Sequence, residues 1–170
     1  MTGTWRNRIV GYGEEQPEQL LANPRNFRIH PKGQQDALLG VMREVGVVDD
    51  VIVNQQTGFV VDGHLRVALA ISEHQPTVPV KYVDLTEQEE ALILATFDPI
   101  AAMAATDKTQ LDALLREVQS GEAGVQAMLA EVAERAGVVP PNVEFPEYDE
   151  SVADDVEYIT CPECGHKWPK

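Results

Sequence analysis

The chain has 170 residues, of which 44% are hydrophobic, so it can bury a core and hold one ordinary domain plus an appendage. Its net charge of −15 opposes binding to nucleic acid or to an anionic membrane by the chain as a whole. No apolar run has the length of a membrane span, and the first residues lack the apolar segment of a signal peptide, so the sequence predicts a cytoplasmic protein with no membrane partner. Basic residues are concentrated before residue 44.

The first quarter of the chain predicts an arm, a loop and a helix. Residues 1–13 favour an extended arm or edge strand, and residues 14–22 favour a strand or a turn of helix. Residues 23–31 hold two prolines and two asparagines and therefore predict a loop. The segment from Gly33 to Val45 has the pattern of an amphipathic helix.

The loop over residues 23–31 is the first candidate binding segment. It carries Arg25, Arg28 and His30 next to apolar residues that can anchor it. Three potential cations on an anchored loop suit a phosphate group. A surface loop whose arginines are merely solvated is the alternative, and the residues alone leave both open.

The middle of the chain predicts a strand pair, a helix and a further strand. Val51–Val53 and Phe59–Val61 are short buried strands that form a hairpin. A helix follows to about Ser72, and Val78–Val83 is the next strand. Pro79 in that strand indicates an edge position or a strand start. With the preceding helix, these elements predict a compact α+β unit.

The turn between the second strand and its helix, Asp62-Gly63-His64-Leu65-Arg66, is the second candidate binding segment. Asp62 can cap the helix, and Gly63 allows the backbone to approach a ligand. The free N–H groups at the helix start favour an anion, and His64 and Arg66 add side-chain donors. An ordinary Asp-Gly turn followed by a solvated arginine is the alternative.

Residues 86–136 predict a helical extension that could bind a partner. Thr86 and Glu89 form a capping-box pattern at the start of a helix that Pro99 interrupts or restarts. Further helices follow, and the last ends at Gly137. The extension lacks the basic recognition helix of a helix-turn-helix DNA reader.

The C-terminal residues predict an acidic linker over 137–157 and a small tail over 158–170. Cys161-x-x-Cys164 resembles half of a zinc ribbon, with His166 as a third ligand and no fourth ligand evident. The ion could be shared by two chains or completed by a partner, or the motif could be vestigial. A thioredoxin-type redox pair is less favoured, because no strand–helix pattern surrounds the cysteines.

The order of these segments resembles the ParB/sulfiredoxin superfamily domain, and more narrowly the short ParB-like proteins of phages and prophages. The resemblance covers about residues 18–104. It rests on Asn23-Pro24-Arg25-x-x-Arg28, an amphipathic helix, a strand pair, Val61-Asp62-Gly63-His64-Leu65-Arg66 and Val78-Pro79-Val80. The resemblance implies a small mixed sheet with helices over residues 1–85.

This resemblance implies nucleotide chemistry. ParB domains bind and slowly hydrolyse CTP, other enzymes of this fold use ATP, and some relatives are called nucleases. The implied ligand is a nucleoside triphosphate with Mg²⁺, and Asp62 and His64 are candidate catalytic residues. The candidate phosphate-binding residues are Asn23, Arg25, Arg28, His30, Gly63, His64 and Arg66. The turn lacks the cysteine that sulfiredoxin chemistry requires.

Three functions remain open at this point. The first is a nucleotide-binding switch or slow NTPase, acting with CTP or ATP in DNA transactions. The second is a ParB-like nuclease or an accessory of a DNA-modifying enzyme, which the net charge disfavours. The third is an adaptor with a degenerate pocket. The expected partners are a nucleotide, DNA or a DNA-processing protein, and a second copy of the chain.

Overall fold

The computed structural model describes residues 4–138, 158–160 and 167–169. The chain divides into two compact units, Met1–Pro140 and Pro141–Lys170. The predicted division of the first unit, into a core ending at residue 85 and a helical extension, stays a prediction.

The first unit contains a four-stranded mixed sheet with the order β1-β4-β2-β3. Its strands are β1 (Ile9–Glu15), β2 (Val51–Asn54), β3 (Val60–Asp62) and β4 (Val78–Val83). Strand β4 pairs antiparallel with β1 and parallel with β2, and β2 and β3 pair antiparallel. The predicted α+β class, the N-terminal edge strand and the hairpin are confirmed.

Five helices accompany this sheet, after a short 3₁₀ turn at Pro17–Gln19. They are α1 (Lys32–Glu44), α2 (His64–Ser72), α3 (Glu87–Ala102), α4 (Lys108–Glu117) and α5 (Ala123–Ala136). Helix α5 packs against α1, where a Cβ atom on Gly124 would lie 2.6 Å from the carbonyl carbon of Asp36. No helix within the described ranges combines the length and apolar character that a bilayer span requires.

The helix ends confirm some local signals and correct others. The capping box of Thr86 and Glu89 is present at the start of α3. The predicted interruption at Pro99 is wrong, because α3 continues to Ala102. Pro99 lies in the last turn of the helix, where its missing N–H group leaves only the carbonyl of Ala95 without an intrahelical donor, and the helix ends three residues later.

The predicted edge position of Pro79 is also wrong, because β4 lies between β1 and β2. The alternative prediction, a strand start, is correct, since β4 begins at Val78. Pairing with β2 starts only at Val80, so Pro79 lies before that ladder and has a partner only in β1, at Glu14. The missing N–H group is therefore tolerated at this position.

An aliphatic core lies between the sheet and α2. Its buried members are Val51, Val53, Val60, Val67, Ala70, Val78 and Val80, with Leu20 and Tyr82 packed against them. Burial of each valine side chain contributes about 1.5–3 kcal/mol. Because this core holds both β3 and α2, it fixes the geometry of the turn that joins them.

The second unit is described only at two short strands. Strand β5 (Tyr158–Thr160) pairs antiparallel with β6 (Lys167–Pro169). The predicted ligands Cys161, Cys164 and His166 lie outside the described residues, as does most of the predicted linker. The zinc site stays a prediction that elemental analysis of the full chain can test.

Candidate functional site

A cleft of about 290 Å³ opens where β3 ends and α2 begins. Five of the seven residues predicted to bind phosphate line this cleft: Arg28, His30, Gly63, His64 and Arg66. Acidic side chains line it as well, and they come from three parts of the chain: Asp49 before β2, Asp62 at the end of β3 and Asp98 on α3. The fold thus brings the two candidate binding segments together at one opening.

Gly63 is required by the backbone at this junction. Its φ angle is +93°, in the left-handed region that side chains disfavour. A Cβ atom here would lie 3.2 Å from the Cα atom of Val51 and 3.3 Å from Nε of Arg66. The glycine therefore allows the turn to pack tightly on β2, which is a structural need in addition to the predicted approach of a ligand.

The start of α2 carries no side-chain cap. The predicted cap at Asp62 is wrong, because Gly63 is the N-cap residue and the Asp62 carboxylate instead accepts a hydrogen bond from Arg66 at 3.0 Å. The first backbone N–H groups of a helix have no intrahelical partner, and together with the helix dipole they favour an anion. The uncapped end of α2 faces the cleft through Gly63 and His64.

Five charged side chains alternate in sign across the cleft, and we call them the charge row. Arg28 pairs with Asp98 and lies 4.0 Å from Asp62. On the other side, Asp62 lies 3.0 Å from Nη2 of Arg66, which is also 2.9 Å from Asp49. The row contains three carboxylates and two guanidinium groups, so the arginines are already neutralised in the free protein.

Two buried guanidinium nitrogens of the charge row have no hydrogen-bond partner within the described part of the chain. They are Nη2 of Arg28 and Nε of Arg66. A buried donor without a partner costs about 1–3 kcal/mol, and native proteins rarely leave one unsatisfied without a reason. Both donors belong to residues that line the cleft, so an anion bound there could accept their hydrogen bonds.

Asn23 and Arg25, the other two predicted phosphate-binding residues, do not line the cleft. Asn23 donates a 2.8 Å hydrogen bond to Glu90, and Nη2 of Arg25 lies 3.3 Å from the same carboxylate oxygen. Asn54 and Thr57 donate to the second oxygen of Glu90 at 2.7 and 2.5 Å. We call these five residues the Glu90 cluster.

Glu90 is fully buried, and its cluster leaves it well hydrogen-bonded. Burial raises the pKa of Glu90, but hydrogen bonds from Thr57, Asn54 and Asn23 outweigh burial and hold the pKa below its usual range. Little in the sequence distinguishes this residue, because the capping-box rule selects Glu89 instead. Asn54, a polar residue that directly follows three apolar strand residues, is a signal that could have drawn attention to the cluster.

His64 connects the two groups of polar residues. Its Nε2 atom accepts a hydrogen bond from the backbone N–H of Asn23 at 3.3 Å, which places the proton of the neutral ring on Nδ1. Burial lowers the pKa of His64, Asp62 opposes this effect, and Arg28 and His30 add to it. The Nε2 lone pair is therefore engaged in the free protein, and a catalytic role for His64 stays a prediction, as it does for Asp62.

No three histidine, cysteine, aspartate or glutamate side chains among the described residues are grouped so that they could hold a metal ion. Magnesium commonly reaches a protein on the phosphates of a nucleotide, with one or two protein carboxylates as further ligands. The carboxylates of the charge row fit that role. The Mg²⁺ predicted to accompany the nucleotide stays a prediction.

Comparison with known proteins shows the fold. No family model matches the sequence, and no curated protein matches it either. Among solved structures, the chain is similar to a C-terminally truncated chromosome-partitioning protein ParB from Caulobacter crescentus in complex with CTP-γ-S. The TM-score is 0.52 at 19% identity, over 77% of this chain and 73% of that chain.

Two structures of a pNOB8-like ParB N-domain give weaker matches. One has a TM-score of 0.47 at 14% identity, over 96% of this chain and 59% of the other. The second has a TM-score of 0.43 at 15% identity, over 98% and 56%. The match to the Caulobacter protein confirms the predicted ParB-like fold.

Proposed function

We propose that the cleft binds the phosphate groups of a nucleoside triphosphate. The main observation that supports this proposal is the pair of buried guanidinium nitrogens, on Arg28 and Arg66, that have no partner among the described residues. The uncapped N-terminus of α2 lies beside them and supplies further N–H donors. The similar ParB structure in complex with CTP-γ-S supports the same class of ligand.

The charge balance favours a multiply charged ligand over a simple anion. An anion must compete with the carboxylates that already neutralise Arg28 and Arg66. A triphosphate offers several negative oxygens to both arginines at once, and guanidinium–phosphate contacts are strong because they are charged and can be bidentate. Bound Mg²⁺ would reduce the repulsion between the triphosphate and the three aspartates.

Slow hydrolysis and a switch role in DNA transactions remain further parts of this proposal. Neither of the two candidate catalytic residues is a free general base in the ligand-free protein, because Nε2 of His64 is engaged and Asp62 is ion-paired. Nucleotide binding is therefore the first step to test. Hydrolysis of the bound nucleotide, measured by the release of its products, is the second. A dimer or a DNA partner is proposed only as a consequence of nucleotide binding.

Isothermal titration with CTP, ATP, GTP and UTP, each with Mg²⁺ at low salt, tests the proposal. We expect at least one nucleotide to bind, and Arg66→Gln to weaken it by about tenfold to a hundredfold through loss of a charge-assisted contact of roughly 1.5–3 kcal/mol. Arg28→Gln is a second variant to test, because the Arg28 guanidinium is held by an exposed partner, Asp98. Arg116→Gln is the matched control, since Arg116 pairs only with Asp112 on α4 among the described residues.

Three outcomes contradict the proposal. One is the absence of binding by all four nucleotides at low salt. A second is unchanged affinity in both Arg66→Gln and Arg28→Gln, with circular dichroism equal to that of the parent chain. Equal losses in Arg116→Gln and Arg66→Gln would indicate a general charge effect, which also argues against a defined site.

A further inference from the structure

The two arginines of the charge row are held in different ways. The Arg66 guanidinium donates to the backbone carbonyl of Asp50 and to Asp62, both at 3.0 Å, in addition to its ion pair with Asp49. For Arg28, Asp98 is the one close partner of the guanidinium within the described residues, with Asp62 at 4.0 Å. Arg66 is therefore fixed by the fold, whereas Arg28 depends on a single exposed carboxylate.

We propose that Asp98 acts as an internal competitor that lowers the anion affinity of the cleft, an inference that rests on the proposed function. In the free protein its carboxylate occupies one side of the Arg28 guanidinium. A ligand phosphate must displace that carboxylate before it can bind Arg28 at the same position. Asp98 is thus a residue that sets the anion affinity of the cleft and that the sequence motifs do not include.

The exposure of the two partners supports displacement. The Arg28 side chain is 18% exposed, whereas that of Asp98 is 58% exposed. Release of Asp98 therefore returns a carboxylate to water without burying it, and most of the Arg28 guanidinium stays in place. Because half-exposed ion pairs contribute little, the competing contact is weak enough for a phosphate to replace it.

The competition acts on anions in general, because displacement of the Asp98 carboxylate costs the same free energy whichever ligand replaces it. A ligand with one negative charge therefore gains little from Arg28 alone. A polyphosphate gains more, because its oxygens can also accept from Nη2 of Arg28 and from Nε of Arg66, which have no partner among the described residues. Asp98 therefore lowers the affinity for every anion that reaches Arg28.

Asp98→Asn tests this proposal, because a merely structural residue does not improve binding when it is altered. The probes are inorganic tripolyphosphate and acetate, titrated into the full chain without nucleotide. Removal of the competing charge is expected to tighten tripolyphosphate binding by about two- to fivefold. Acetate, which carries one negative charge, should gain no more affinity than tripolyphosphate does.

Asp112→Asn is the matched control. Asp112 pairs with Arg116 at 2.9 Å on α4, and it is absent from the cleft lining. The substitution removes the same unit of charge, so it separates the local competition from a change in net charge. It should leave both affinities unchanged within about a factor of 1.5, and it should do so at all salt concentrations.

Each outcome decides the proposal. Tighter tripolyphosphate binding in Asp98→Asn alone supports it. Unchanged or weaker binding in Asp98→Asn, with clear binding by the parent chain and its loss in Arg66→Gln, overturns the competitor role and leaves the proposed function standing. No binding of tripolyphosphate by any variant overturns the competitor role, and the nucleotide titrations then decide the proposed function separately. Equal tightening in Asp98→Asn and Asp112→Asn overturns the competitor role, because net charge then explains the gain.

Discussion

The Glu90 cluster and the charge row are both built on the loop over residues 23–31, but they differ in how completely their polar groups are paired. In the Glu90 cluster, one buried carboxylate receives contacts from four side chains. In the charge row, two buried guanidinium nitrogens have no partner within the described residues. A fully paired buried network stabilises a fold, whereas unpaired buried donors at an opening indicate that a ligand completes the site.

This difference indicates that residues of the loop over 23–31 have two separate roles. Asn23 and Arg25 hold the loop to α3 through Glu90, and the Asn23 backbone contacts His64. Arg28 and His30, which follow on the same loop, reach the cleft. Substitutions in the first group should therefore change stability, and substitutions in the second should change binding. The following predictions test that separation, starting with the largest effect.

Glu90→Gln is expected to lower the free energy of unfolding by about 2–4 kcal/mol. The new amide N–H₂ group faces the donors of Asn23, Asn54 and Thr57, so at least one buried donor loses its acceptor. Urea unfolding followed by circular dichroism measures the effect. Glu87→Gln, at an exposed position on the same helix, is the control and should change stability by less than about 0.5 kcal/mol. Equal stability of the two variants would contradict a structural role for the cluster.

Gly63→Ala is expected to lower the free energy of unfolding by about 1–3 kcal/mol, because the φ angle of +93° and the 3.2 Å approach to Val51 both oppose a Cβ atom. Gly33→Ala is the matched control, since a Cβ atom there would meet nothing within 4 Å. Thermal unfolding of both variants gives the comparison. A stable Gly63→Ala protein with normal affinity would show that neither the backbone nor the ligand needs the glycine.

Arg28→Gln and Arg66→Gln are expected to be coupled by about 0.5–2 kcal/mol in nucleotide binding, because both guanidinium groups face the Asp62 carboxylate at 4.0 and 3.0 Å. A double-mutant cycle with the nucleotide that binds best measures the coupling. The pair Arg25→Gln and Arg66→Gln should be additive within about 0.5 kcal/mol, since Arg25 belongs to the Glu90 cluster. Coupling in the Arg25 pair but not in the Arg28 pair would reverse the assignment.

His64 should make stability depend on pH below neutrality. Because burial lowers its folded-state pKa below the unfolded value of about 6.5, the unfolded chain takes up its proton first as the pH falls. The contribution is fully present above about pH 7 and is lost between the unfolded and the folded pKa. Urea unfolding at several pH values should show a decline that His64→Gln reduces, and His74→Asn, at an exposed histidine, should retain it.

The sequence determined the local elements, because each depends on residues that are close in the chain. Alternating and clustered valines indicated the strands, and the Thr86–Glu89 pair indicated the start of α3. Gly63 indicated the turn, whose backbone is left-handed in the structure. The motif order also predicted the ParB-like fold. Local signals failed where neighbours in space decide the position of a residue. Pro79 can lie in an inner strand because its missing N–H group falls outside the ladder with β2.

Only the tertiary structure decided which polar residues share a site. Asp49 and Asp98 are far apart in the chain and belong to no motif, yet both reach the arginines of the cleft. Glu90 directly follows Glu89, the capping-box residue of the same type. Helical geometry directs the side chain of Glu90 into the core and leaves that of Glu89 at the surface. Hydrogen bonds and charge pairs between distant segments depend on distances that only the packed sheet and helices fix, and that is why the sequence named the two binding segments but not their partners.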